Sequence, residues 1–238
     1  MKRRIVSWIR KQVKQAGAKG IVLGLSGGID SSVVACLCKE AVGRNRVLGL
    51  FLPCYSKKQD LDDAKIIAKK LGIKTRMVDL CKMYDRLIKT LPRGSKLAKA
   101  NLKPRLRMIT LYYLANTLNY IVCGTGNKSE LMVGYFTKHG DGATDILPIG
   151  GLLKKDVRRL ARQLKIPEWI ITKAPSAGLW LGQTDEGEMG ISYPELDDIL
   201  SRMQRKRKQF ASAKKVNKVK GMIRRSEHKR QGPPVCNV

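Results

Sequence analysis

The sequence predicts an α/β fold: a doubly wound, mostly parallel β-sheet with helices on both faces. Three observations predict it. Short, near-continuous apolar runs of strand length alternate with segments of helical periodicity, and a glycine-rich turn joins the first such run to the next helix. The 238 residues, 43% of them hydrophobic and 28% charged, suit a single folded domain over 1–238. Its C-terminal part, about 202–238, is expected to be basic and helical.

The first element is predicted to be a basic amphipathic helix. Ile5, Trp8, Ile9 and Val13 recur at helical spacing, so we expect one face to pack on the core of the domain. Basic side chains interrupt the apolar segment that a signal peptide requires. No apolar run in the sequence approaches the roughly 20 residues needed to cross a bilayer, so no membrane association is expected.

Four buried strands are predicted next, at 20–25, 46–53, 74–80 and 120–125. Helices are predicted between and after them, at 32–43, 59–72, 81–90, 104–119, 154–164 and 194–203. Gly72 is expected to end its helix as a C-cap. Three segments are predicted as loops: a mobile basic loop at 93–96, a glycine-rich loop at 133–151 and an acidic loop at 174–191. The last two are long enough to favour a functional role.

The formal net charge of +29 favours an anionic partner, either nucleic acid or small phosphorylated ligands. The charge is uneven: residues 202–230 carry thirteen Lys or Arg and one acid, whereas 174–201 carries six acids and no base. A basic surface without a specific partner explains the same composition equally well. Net charge therefore does not separate these alternatives.

Six cysteines are present, and none forms a Cys-x-x-Cys pair. With only two histidines, no zinc site has plausible spacing. Several of the cysteines fall within apolar stretches, which favours buried free thiols, no disulfides and a cytoplasmic location.

The turn Ser26-Gly27-Gly28-Ile29-Asp30-Ser31 lies between the first strand and a helix. Two consecutive glycines allow backbone N–H groups to point into one concavity, and the positive end of the helix adds to it. This arrangement suits a pyrophosphate group at the carboxyl edge of the sheet. A purely structural strand-to-helix turn is the alternative. The turn is neither a Walker A loop nor a Gly-x-Gly-x-x-Gly turn.

The turn resembles the SGGxDS loop of the N-type ATP pyrophosphatases, which adenylate their substrates and share an adenine-nucleotide alpha-hydrolase-like fold. Longer blocks resemble one family of that group, the ammonia-dependent NAD synthetases. These blocks are NLKPRLRM (101–108), GTGNKSELMVGYFTKHGDGATDILPIGGLLKKDVRRLA (124–161), KAPSAGLWLGQTDEGEMGISYPELDDIL (173–200) and EHKRQGPP (227–234). Two departures stand out: Pro104 replaces a common alanine, and Ser176 replaces a frequent threonine.

The resemblance implies a set of functional residues. Asp30, Glu130 and Lys154 would be catalytic, with Asp30 and Glu130 binding Mg²⁺. The residues implied in ATP binding are Gly24, Leu25, Ser26, Gly27, Gly28, Ile29, Asp30, Ser31, Thr125, Lys154 and Ser176. Those implied in binding deamido-NAD are Arg105, Lys138, Asp145, His228 and Lys229. Taken singly, each could instead be a structural or solvated residue.

The resemblance also implies an activity. ATP would adenylate the nicotinate carboxylate of deamido-NAD, and ammonia would displace AMP to give NAD. Family members are homodimers, so a homodimer is expected, and the helical stretch Leu111-Tyr112-Tyr113-Leu114 could supply interface or core. A glutaminase needs a nucleophilic cysteine and usually a further domain, so free ammonia is expected, with a separate glutaminase subunit as the alternative source. Two alternatives are a tRNA-modifying adenylase, which would explain the charge but often needs cysteine pairs, and a non-catalytic nucleotide-binding module.

Overall fold

The computed structural model describes residues 1–180, 182–205 and 212–236. Its sheet contains four strands: β1 (Gly20–Gly24), β2 (Val47–Phe51), β3 (Lys74–Met77) and β4 (Tyr120–Val122). They pair in the order β3-β2-β1-β4, and every pair is parallel. The four predicted strands and their parallel arrangement are therefore confirmed, although each strand is shorter than predicted.

Twelve α-helices surround this sheet among the described residues. They are α1 (Lys2–Gln15), α2 (Ile29–Val42), α3 (Lys58–Leu71), α4 (Cys81–Thr90), α5 (Lys96–Ala100), α6 (Leu102–Leu118), α7 (Lys128–Val133), α8 (Lys154–Gln163), α9 (Glu168–Thr172), α10 (Asp185–Met189), α11 (Tyr193–Gln204) and α12 (Ala213–Arg225). Two 3₁₀ turns, Arg44–Arg46 and Glu227–Lys229, complete the regular structure. Gly72 ends α3 with a φ of 62°, as predicted.

Helices cover both faces of the sheet, which confirms the doubly wound arrangement. Alternate strand residues point to opposite faces. Ile21 and Leu23 join a core cluster with α1, α2, α3 and α8, whereas Val22 joins a second cluster with α4 and α6 on the other face. The chain therefore crosses from one face to the other after β3, and β1 and β4 flank the point where strand order reverses. Ligands bind at the carboxyl ends of strands at such a point.

A third cluster of buried apolar side chains lies beside the sheet. Helices α7, α11 and α12 contribute to it, and Tyr193 and Leu196 of α11 are completely buried there. This cluster fixes α11 against the helix α7 that follows β4. Within the segment predicted to be basic and helical, about 202–238, α12 spans Ala213–Arg225, and residues 206–211 and 237–238 lie outside the described residues.

The structure corrects several predictions. Strand β3 was expected to be buried, but all four of its residues are exposed because it is the edge strand of the sheet. Trp8 is 40% exposed, and Val6 instead joins Ile9 and Val13 on the buried face of α1. The segment expected to be a mobile loop at 93–96 leads into α5, which Ser95 caps by accepting from the Ala98 amide. Helices α7, α9 and α10 were not predicted.

No helix within the described residues is both long enough and apolar enough to cross a membrane. All six cysteines are free thiols.

Candidate active site

A cavity of about 1010 Å³ opens at the carboxyl ends of β1 and β4. The glycine turn after β1 lines it, and so does Thr125, which follows β4. The cavity is also lined by residues of α6, of the segment 52–61, of the glycine-rich loop, of the acidic loop and of the C-terminal 3₁₀ turn. Fifteen of the seventeen predicted site residues line this cavity: Gly24, Leu25, Ser26, Gly28, Ile29, Asp30, Ser31, Arg105, Thr125, Glu130, Lys138, Lys154, Ser176, His228 and Lys229.

The conformation of the glycine turn depends on Gly27 and on hydrogen bonds from two serines. Gly27 has a φ of 75°, and a Cβ atom at this position would overlap the carbonyl oxygen of Asp60. Only glycine tolerates both conditions. Ser31 and Ser32 donate their hydroxyls to the Gly28 carbonyl at 3.1 and 2.8 Å, and both are buried. The serines therefore stabilise the turn, and Gly28 is the N-cap of α2, whose first backbone amides have no acceptor within the helix.

Lys154 is the central charge of the site. Its ammonium lies 2.5 Å from Oδ2 of Asp30 and 3.3 Å from Oε1 of Glu130, and the side chain is 1% exposed. The three residues come from three separate segments, on α2, α7 and α8. The structure thus brings together the three side chains that the resemblance implied as catalytic.

The pKa values of this cluster reflect burial and mutual attraction. Burial raises the pKa of Glu130 to about 7, although the nearby charge of Lys154 opposes this shift. Burial alone would lower the pKa of Lys154, but the charges of Asp30 and Glu130 outweigh it and the net shift is upward. Lys154 is therefore a fixed positive charge facing the cavity.

Asn127 orients both carboxylates. Its side-chain amide donates to Oδ1 of Asp30 at 3.2 Å, and its side-chain oxygen accepts from the Glu130 amide at 3.1 Å. The Glu130 carboxylate accepts in turn from the Asn127 amide, which completes a capping box at the start of α7. Because Asn127 is completely buried, this geometry is protected from water.

A second buried carboxylate, Asp197, fixes the start of α8. It accepts from the Ser129 hydroxyl at 2.5 Å and from the Lys155 amide at 2.7 Å. The Ser129 hydroxyl also accepts from the Lys154 amide at 3.0 Å. These bonds satisfy two amides at the N-terminus of α8 and tie α7 to α8, so they set the separation of Glu130 and Lys154.

Tyr193 lies beneath the cluster. Its hydroxyl is 3.2 Å from Oε1 of Glu130 and 3.0 Å from Oδ2 of Asp185. The Lys154 ammonium lies 4.9 Å from the centre of the tyrosine ring, a cation–π distance. Burial raises the pKa of Tyr193, so the phenol stays protonated and is a donor to the carboxylates.

Basic residues of two loops meet at the other end of the cavity. The Lys138 ammonium donates to the His228 carbonyl at 2.6 Å, and Lys229 donates to the carbonyls of Gly134 and Phe136 at 2.8 Å. Arg105 on α6 donates to the Lys138 carbonyl at 3.3 Å. The C-terminal loop is thus attached to the glycine-rich loop, and Pro104 within α6 does not turn Arg105 away from the cavity.

Two predicted residues have a different placement. Asp145 does not line the cavity; it accepts from the Val122 amide at 2.7 Å and from the Tyr112 hydroxyl at 3.0 Å, so it holds the end of β4. Gly27 is the other residue that does not line the cavity; its positive φ and its closeness to the Asp60 carbonyl determine the shape of the turn. Ser176 does line the cavity, where its hydroxyl donates to the Gln183 carbonyl at 2.7 Å and shapes the acidic loop.

Sequence reasoning missed three buried residues of the site: Asn127, Asp185 and Tyr193. The spacing Asn127-x-x-Glu130 is a capping-box pattern, so Asn127 could have been found from the sequence. Asp185 and Tyr193 had no comparable signal, because their role depends on how α10 and α11 pack against α7.

Comparison with known proteins agrees with this geometry. A sequence model of the NAD synthase family matches residues 1–233. The NH(3)-dependent NAD(+) synthetase of Carboxydothermus hydrogenoformans is 50% identical over 237 residues, covering 98% of this chain and 95% of the relative. The solved NMN synthetase of Francisella tularensis is 40% identical with a TM-score of 0.92, covering 100% of this chain and 97% of that one.

A second solved structure, the NH3-dependent NAD synthetase of Campylobacter jejuni in complex with nitrate, is 29% identical with a TM-score of 0.87. The alignment covers 99% of this chain and 97% of that chain. Because the family match extends over nearly the whole sequence and includes every segment that builds the cavity, the chain belongs to the NAD synthase family.

Proposed function

We propose that the protein amidates the nicotinate carboxylate of deamido-NAD with ammonia, consuming ATP and releasing AMP and pyrophosphate. One observation carries the proposal: a buried lysine bridges two carboxylates beside a glycine turn suited to phosphate, within a cavity of about 1010 Å³. Deamido-NAD, ATP and ammonia are therefore the proposed partners, and nucleic acid is not. Residues 1–238 would act as one cytoplasmic domain.

The first step joins the substrate carboxylate to the α-phosphorus of ATP. A new C–O–P linkage forms, the bond to the β-phosphate oxygen breaks, and pyrophosphate leaves with the electron pair. The amides at the start of α2 and the Lys154 ammonium face the negative charge that develops on the leaving group. Lys154 is held in place before substrate binds, so little reorganisation is needed during the reaction.

The second step replaces AMP by nitrogen. Ammonia attacks the activated carbonyl, the C–N bond forms, and the C–O bond to AMP breaks. AMP accepts the electron pair, and the surplus proton goes to solvent. Lys229 and Lys138 hold the C-terminal and glycine-rich loops together over the cavity, which would protect the adenylate from water.

The carboxylates of Asp30 and Glu130 fit a magnesium ion. Hard divalent cations prefer carboxylate oxygens and leave further positions for phosphate and water. Asp30 and Glu130 give two carboxylates against the single charge of Lys154, a negative excess that a divalent cation would offset. Bound Mg²⁺ would neutralise phosphate charge during pyrophosphate release. Lys154, Asn127 and Tyr193 would keep the two ligand carboxylates oriented.

Ammonia is proposed as the nitrogen source. The curated relative from Carboxydothermus hydrogenoformans is named as NH(3)-dependent and matches this chain along 95% of its own length. Purified protein should therefore form product with ammonium and none with glutamine alone.

A second substrate deserves a direct test, because the Francisella tularensis structure is named as an NMN synthetase. The same adenylation chemistry would convert nicotinate mononucleotide to its amide. The discriminating experiment supplies Mg-ATP and ammonium with either deamido-NAD or nicotinate mononucleotide, and measures AMP and the amide product. A higher kcat/KM for deamido-NAD supports the proposal. A preference for the mononucleotide would replace it, and no AMP with either acid would reject both.

The protein is also proposed to form a homodimer. Of the four residues considered for an interface, Leu114 is buried and Leu111 and Tyr112 pack against the core, whereas Tyr113 is 70% exposed. Ile109, one helical turn earlier on α6, is 58% exposed. These two side chains give α6 an exposed apolar face that a second copy could cover.

A further inference from the structure

Asp185 has an oxygen that the site does not use. The side chain is 5% exposed, and Oδ1 has no hydrogen-bond partner among the described residues. Its other oxygen, Oδ2, accepts from the Tyr193 hydroxyl at 3.0 Å. The Tyr135 hydroxyl and the Ala177 amide also face this carboxylate, but neither gives Oδ1 a hydrogen bond of ordinary geometry. A buried acceptor without a partner is costly and indicates a missing donor.

Within the described part of the chain, no lysine or arginine forms an ion pair with Asp185. The charge of Lys154 acts on Asp185, but its ammonium is already shared by Asp30 and Glu130. Burial consequently raises the pKa of Asp185. The Asp185 side chain thus lacks both a donor for Oδ1 and a cation of its own.

The other carboxylates in the cavity wall differ from Asp185. Asp60 pairs with Lys173 at 2.6 Å, and Glu188 accepts from the side-chain amide of Gln183 at 2.7 Å. Asp141 accepts from the Thr137 amide at 2.9 Å and is exposed to solvent. Asp185 alone, among the described residues of this wall, combines burial with an unpartnered carboxylate oxygen.

The position of Asp185 connects it to the reaction. Asp185 is the first residue of α10 and lies in the wall of the same cavity. The Tyr193 hydroxyl links its carboxylate to that of Glu130 through contacts of 3.0 and 3.2 Å. A small ligand bound at Oδ1 would therefore be close to the ligand carboxylates and shielded from bulk water.

We propose that Asp185 is the acceptor for the ammonium ion that supplies the amide nitrogen, an inference that rests on the proposed function. Ammonium has only N–H donors and one positive charge, so it provides both the donor and the charge that Oδ1 lacks. Two of its four protons remain on the product amide. The other two pass to solvent as the C–N bond forms and AMP departs.

The test measures the two steps of the reaction separately in the variant Asp185→Asn. The variant keeps the shape of the side chain but replaces the carboxylate with a neutral amide. We expect the KM for ammonium to rise about 10- to 100-fold, since a hydrogen bond to a charged group is lost. Pyrophosphate exchange into ATP, measured with the acid substrate but without ammonium, should stay within about threefold of wild type because the first step needs no nitrogen.

Hydroxylamine supplies a second readout. It is largely neutral at the assay pH and traps the acyl adenylate as a hydroxamate, so it does not require an anionic acceptor. Asp185→Asn should therefore form hydroxamate at nearly the wild-type rate while its amide formation at low ammonium falls. A merely structural role for Asp185 would reduce both products together.

The matched control is Glu188→Gln, which neutralises a carboxylate of the same helix whose oxygen already has partners. Its KM for ammonium should change by less than about threefold. If the asparagine variant does not fold, Asp185→Glu gives the same test, because the longer side chain displaces the carboxylate. An unchanged KM for ammonium in the folded variant overturns the inference. Absence of amide product from the wild-type protein would instead overturn the proposed function.

Discussion

Lys154 and Asp30 are 124 positions apart in the chain, yet the lysine ammonium lies 2.5 Å from the aspartate Oδ2, and the lysine side chain is 1% exposed. The fold produces this contact by placing α2 after β1 and α8 beside it. Replacing Lys154 by Met removes the cation that, among the described residues, touches both Asp30 and Glu130. Because that cation faces the leaving pyrophosphate, we expect pyrophosphate release to fall about 10²- to 10³-fold.

The neighbouring lysine is a stringent control for this change. Lys155 is exposed, and only its backbone amide takes part in the Asp197 network. In a single-turnover assay of both variants, Lys155→Met should retain pyrophosphate release within about twofold of wild type. Equal losses in the two variants would mean that position 154 contributes only general positive charge.

Gly27 provides a test of the glycine turn itself. A methyl group here would be strained at a φ of 75° and would overlap the Asp60 carbonyl. We expect Gly27→Ala to raise the KM for ATP at least about tenfold and to lower the thermal midpoint by several degrees, as a strained residue costs about 1–3 kcal/mol. Gly151 has no atom within 4 Å of an added Cβ, so Gly151→Ala should change neither quantity.

Three features could be anticipated from the sequence: the glycine turn, the parallel sheet, and the association of Asp30, Glu130 and Lys154. The turn and the strands are local sequence patterns. The association of the three side chains was implied by the longer blocks that resemble the NAD synthetases. The exposure of β3 could not be anticipated, because a strand's position in the sheet depends on pairing order. Tyr193 could not either, since its hydroxyl reaches Glu130 across 63 positions of sequence through helix packing.

Stability in acid should depend on Glu195. Hydrogen bonds from Lys215 and Ser192 lower the pKa of this carboxyl to about 2, below its ordinary value of 4.5. A lowered folded-state pKa stabilises the protein fully above the unfolded-state pKa, and this contribution is lost as pH falls towards 2. The gap in urea midpoint between wild type and Glu195→Gln should therefore be widest above about pH 5 and shrink progressively in acid.

Glu227→Gln removes another exposed carboxylate, within the C-terminal 3₁₀ turn, and serves as the control for this titration. The loss in Glu195→Gln should also be local, because Glu195 and Lys215 join α11 to α12. Hydrogen exchange should therefore accelerate in these two helices before it does in the sheet. A pH-independent gap between wild type and Glu195→Gln would show that the hydrogen bonds contribute without their charge.

The exposed face of α6 tests the proposed homodimer. Tyr113 and Ile109 lie one turn apart on this helix and are 70% and 58% exposed. If a second copy covers them, Tyr113→Glu introduces a carboxylate into an apolar contact, and its desolvation should shift the protein from dimer to monomer in light scattering. Trp169→Glu, on α9, also alters a large exposed apolar residue, but it should leave the mass unchanged. A wild-type monomer at assay concentration would contradict the dimer, and an unchanged dimer in Tyr113→Glu would place the contact on a different surface.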